Sequence, residues 1–161
     1  MIERLVVLPA LVALATGCGS DEEASKASRP ITTSAPSLAG AYERTLTHAD
    51  IERTNHLRDE SLPGQQKPQP GRLKLALEDG TLTMIDVGAG VTIRQDYSAT
   101  SDGAFRIGAY QAPDQGSFCG PDVPQTASYR WRQSGDVLTL KAVQDECADR
   151  DSSLGGQWQR R

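Results

Sequence analysis

From Gly71 to the C-terminus, apolar and polar residues alternate in steps of two, and turn-forming residues separate the runs. That period belongs to half-buried β-strands, not to helices. In RLKLALE, Leu73, Leu75 and Leu77 share one face, with Arg72, Lys74 and Glu78 on the other. Asp79-Gly80 follows at once, a strong two-residue hairpin signal. TLTMID sets Leu82 and Met84 against Thr81 and Thr83, and Gly88 and Gly90 make the next turn. VTIRQDYS directs Val91, Ile93 and Tyr97 inward, with Gln95 as an exception. Ser101-Asp102-Gly103 then leads into AFRIGAY, whose inward pair is Phe105 and Ile107. SYRWRQ places Tyr129 and Trp131 opposite Arg130 and Arg132. Gly135-Asp136 turns the chain into VLTLKAV, with Leu138 and Leu140 inward, and GQWQRR closes the series around Trp158.

Upstream, GAYERTL supplies a first strand from Ala41 to Leu46. Between it and the next strand, THADIERTNHLRDE breaks the two-residue period. Thr47 followed by Asp50 resembles a capping box, and Ile51 and Leu57 form a thin apolar stripe. A short, lightly packed helix is expected over 48–58, followed by the extended connection Pro63–Pro70. The fold class is therefore all-β, with about eight antiparallel strands and one short helix between the first two. Consecutive hairpins favour a meander barrel over a two-sheet sandwich, with Tyr42's strand closing against Trp158's. One long crossing, Gln111 to Thr126, is rich in Pro and Gly and contains Cys119.

The N-terminal region has a different pattern. After Met1–Arg4 comes an apolar run, Leu5 to Ala15, broken only by Pro9. Eleven residues at ~1.5 Å each are too short for a ~30 Å hydrocarbon layer, but they suit the centre of a secretory signal. The tetrapeptide Ala15-Thr16-Gly17-Cys18 resembles the lipobox of bacterial lipoproteins, with Ala15 where leucine is usual. That resemblance implies cleavage before Cys18, a diacylglycerol thioether on its sulfur and anchoring at the outer face of the cytoplasmic membrane. Two or more acyl chains hold stably. Residues 1–17 are then the signal peptide, 18–38 a flexible tether poor in apolar residues, and 39–161 the barrel domain. With Cys18 acylated, Cys119 and Cys147 remain of the three cysteines. An oxidising exterior favours their disulfide over two free thiols or a metal pair, and no histidine lies near either.

The folded part resembles a small calycin, or lipocalin-like, barrel. Gly40-Ala41-Tyr42 is similar to the lipocalin Gly-x-Trp motif, with Tyr42 in place of tryptophan. Trp158 to Arg161 is similar to its basic closing strand. A helix between the first two strands is more like fatty-acid-binding proteins, where it caps the mouth. The chain is also similar to lipoproteins of high-GC Gram-positive bacteria.

Candidate chemistry changes this picture little. A net charge of −4 and the lack of a basic patch argue against nucleic acid as partner. GSFCG is not a serine-hydrolase elbow, and His48 and His56, eight apart, cannot share a metal ion. DECADRD, Asp145 to Asp151, offers four carboxylates for calcium but lacks the calcium-loop spacing. Its other reading is a solvated loop with Arg150 paired to a neighbouring acid. No catalytic group, cofactor or metal is therefore assigned. The candidate ligand-binding residues are the inward set Tyr42, Leu75, Met84, Tyr97, Phe105, Tyr129, Trp131 and Leu140, which form either a packed core or a ligand cavity. The leading expectation is a lipid-anchored, non-enzymatic barrel that binds a small apolar or amphipathic ligand. The alternative is a protein-interaction or inhibitor module of the envelope with a solid core.

Overall fold

Each run with two-residue alternation becomes a strand. The computed structural model describes residues 37–58, 68–110, 117–120 and 123–161. The expected signal peptide, Cys18, the tether as far as residue 36 and most of the 63–70 connection lie outside the described residues. The chain divides into Met1–Thr33 and Ser34–Arg161, and every described residue belongs to the second unit. The strands are β1 (Gly40–Leu46), β2 (Gly71–Glu78), β3 (Thr81–Asp86), β4 (Val91–Ala99), β5 (Ala104–Tyr110), β6 (Ala127–Ser134), β7 (Val137–Gln144) and β8 (Gly156–Arg160). They close into an antiparallel barrel in sequence order.

Turn chemistry sets the register. Asp79 and Gly80 have φ of 47° and 78°, the paired left-handed conformation that a tight hairpin needs. Leu75 then faces Met84, and Met84 faces Ile93. Closure between first and last strands is short, with Tyr42 opposite Arg160 and Glu43 opposite Gln159. The Arg161 N–H to the Ala41 carbonyl (2.9 Å) and the Arg161–Glu43 ion pair (2.7 Å) reinforce it.

Strand direction sorts the connections into two ends. Three tight turns and the strap Ser37–Ala39 lie at one, here called the turn end. At the other, the helix end, lie the β3–β4 turn, the long β5–β6 loop and the helical links. The link after β1 is α1 (His48–Arg53) and a 3-10 turn (Asn55–Leu57), shorter than the expected helix over 48–58. The capping box is present: Thr47 Oγ1 accepts from the Asp50 N–H, and Asp50 accepts from the Thr47 N–H.

Two expectations need correction. DECADRD is not a solvated loop, because Ala148–Leu154 forms a second helix, α2, with every residue buried. Its lack of an apolar stripe hid it, since polar partners rather than apolar packing satisfy most of its side chains. Val91 is exposed, because it sits on the last rung of the β3–β4 hairpin at the barrel rim. Gln95, polar at an inward position, follows the inward parity and is fully buried. Its Nε2 donates to the carbonyls of Gly108 and Gln125 (3.1 Å each) beside a register shift in β4.

Candidate functional site

At the turn end the closing arginine behaves as a latch. The Arg160 guanidinium lies 5.0 Å above the Tyr42 ring and donates to the carbonyls of Ala39 (3.1 Å) and Ser37 (3.1 Å) and to Tyr42 Oη (2.8 Å). Tyr42 Oη donates onward to the Leu38 carbonyl (2.9 Å), and Leu38 is buried against the barrel. Burial raises the Tyr42 pKa, with the Arg160 charge pulling the other way. Gly40 has φ of 151°, and a Cβ there would stand 2.7 Å from Arg160 Nη1. A glycine two residues before the aromatic ring therefore makes room for the arginine that stacks on it.

At the helix end the acidic run builds a buried polar scaffold. Arg150 is fully buried, and its Nη2 lies 2.7 Å from Asp145 Oδ1. It also donates to the carbonyls of Pro124, Gln125 and Thr126 (3.0, 2.9 and 3.2 Å). Asp145 also accepts from the Cys147 N–H and the Tyr129 hydroxyl. The Tyr129 pKa is raised well above the ordinary value, first by burial and then by the Asp145 charge. Asp149 pairs with Arg58 (2.8 Å) and Asp151 with Arg53 (3.3 Å), which ties α2 to the β1–β2 link. Cys119 and Cys147 are joined in a disulfide with Cα atoms 6.0 Å apart. Asp145, Asp149 and Asp151 of the run each pair with an arginine.

The eight candidate ligand-binding residues do not share one cavity. Tyr42, Leu75, Phe105, Tyr129 and Leu140 are each 2% exposed or less and belong to the buried core. Phe105 stacks on Tyr97 (5.3 Å) and meets Tyr129 edge-on (6.3 Å). Side chains covered this completely border no water-sized space, so the barrel's waist is packed. Met84 looks toward the helix end, while Tyr97 and Trp131, both half-buried, line a pocket at the turn end.

A pocket of about 470 Å³ opens at the helix-end mouth. Met84 and Ile93, inward residues of β3 and β4, bring its floor to the top of the core. Val91, Phe118 and Pro70 line its apolar walls, and Asp149 and Ser153 of α2 supply its polar side. Burial raises the Asp149 pKa, although the Arg58 charge and hydrogen bond partly offset it. Phe118 and α2 escaped sequence reasoning, because one sits in an aperiodic loop and the other has no stripe. The one legible signal was Cys119, which had to carry its neighbour Phe118 toward Cys147. No family model, curated protein or solved structure gives a significant match to the chain. The eight-stranded antiparallel meander barrel is thus established by its own strand pairing.

Proposed function

We propose that the protein is a lipid-anchored, extracytoplasmic barrel that binds a small apolar or amphipathic ligand at its helix-end mouth. The observation that carries this reading is the pocket of about 470 Å³ floored by Met84 and Ile93, with a carboxyl and a hydroxyl on one side. Ligand sites combine such apolar walls with a few placed polar groups, in the volume range of ~300–1,000 Å³. The stapled loop and α2 hold the opening in shape. The lipobox-like Ala15-Thr16-Gly17-Cys18 supports the anchor.

Native mass spectrometry against a fatty-acid and lysolipid panel tests the ligand. Adducts are expected, and Val91→Trp, which fills the pocket from its exposed rim, is expected to abolish them. No adduct from any panel member defeats the reading. The anchor is tested separately: Cys18→Ser should release the protein from the membrane fraction.

The packed waist favours a second reading, a protein-interaction module that holds no ligand. A stoichiometric envelope-protein complex that survives Val91→Trp, with no adduct in either form, selects it.

A further inference from the structure

The turn end carries a second pocket, of about 480 Å³, between the strap Ser37–Ala39 and the ends of β4 and β6. Two aromatic rings line it, and both are held in place. Tyr97 stacks on Phe105 with an interplanar angle of 20°, and the Trp131 indole N–H donates to the Thr100 carbonyl (3.0 Å). The Tyr97 hydroxyl makes no hydrogen bond among the described residues. Asp79, at the tip of the β2–β3 turn, is the one formal charge among the described lining residues, and it makes no ion pair there. Its charge reaches Tyr97: after burial and Tyr42, Asp79 is a cause of that phenol's raised pKa. The nearby cation, Arg160, is occupied behind the strap by Ser37, Ala39 and Tyr42.

Preordered aromatic walls beside an unpaired carboxylate suit a cationic ligand. A quaternary ammonium is drawn to ring faces by their quadrupoles and to the carboxylate by charge, and it asks for no hydrogen-bond acceptor. Anions would be repelled by the Asp79 carboxylate. We propose that the turn-end pocket formed by Asp79, Tyr97 and Trp131 binds quaternary ammonium groups, free or on a phospholipid headgroup. This site is separate from the mouth, and neither reading depends on the other.

NMR titration of the full chain carrying Cys18→Ser, which removes any acyl contribution, tests the site. Tetramethylammonium and choline should shift the Trp131 indole and the amides of residues 79–80 and 97–101 in a saturable way. The neutral carbon isostere 3,3-dimethylbutanol should bind about tenfold more weakly, or worse, because it lacks the charge. Asp79→Asn keeps the hairpin, since Asn-Gly suits the same turn, and should weaken choline by a similar factor. Sedimentation with phosphatidylcholine vesicles, compared with phosphatidylglycerol vesicles, separates headgroup from free amine. The proposal is overturned by shifts that never saturate, by an isostere that equals choline, or by an Asp79→Asn chain that binds as the parent does.

Discussion

Arg150 keeps a charge where water does not reach, and its neighbours explain why that is tolerated. The Asp145 carboxylate balances it, and three loop carbonyls take its remaining donors. Breaking one partner of such a pair strands the other, at a cost of roughly 3–5 kcal/mol. Asp145→Asn should therefore lower the unfolding free energy by that amount, read as a lower denaturant midpoint with an unchanged slope. Tyr129 adds a pH dependence. Its folded pKa is raised by burial and by Asp145, whereas an unfolded tyrosine titrates near ~10. Above that pH the unfolded chain releases a proton that the folded chain keeps, so stability falls as pH rises toward the folded value. Tyr129→Phe should flatten this alkaline fall in thermal melts. The sequence put Arg150 beside an acid, but local pairing says nothing of burial. The Pro124–Thr126 carbonyls come from a distant loop.

Among the elements, strands were legible and short helices only partly so. Alternation with Asp-Gly and Gly-Asp turns specified β2, β3 and β7 closely, because a one-residue slip would turn every leucine outward. α1 was legible through Thr47 and Asp50, yet its extent was not, since Ile51 is its one buried residue. Thr47→Ala should cost about 1 kcal/mol in chemical denaturation. Burial pulls the Asp50 pKa upward, but the Thr47 N–H and hydroxyl and Arg44 outweigh it, and the net shift is downward. Its contribution is present above the unfolded value of ~4 and is lost as pH falls through the lower folded one. Asp50→Asn should accordingly show a shallower loss of melting temperature between pH 5 and pH 2 (roughly the span of carboxylate titration). α2 offered no stripe to read, because salt bridges and Cys147 hold it.

At the scale of the molecule, one covalent link joins the long loop to α2 at the mouth. It closes a segment with a sequence separation of 28 residues, which in the chain-entropy model stabilises the fold by about 3–4 kcal/mol. Reduction should lower stability by that amount and open the mouth pocket, which Phe118 helps to wall. Guanidinium titrations with and without reductant give the first, and loss of ligand adducts on reduction gives the second.

The sequence by itself determined the strand count, the meander order and the turns. These depend on local period, on φ preferences and on parity, all of which neighbouring residues carry. Only the tertiary structure decided that the aromatic interior is packed, that the candidate ligand residues divide between the packed waist and the two ends, and that most of an acidic run becomes a buried helix. Those outcomes depend on volume and on partners brought together from far along the chain, and no local pattern encodes either.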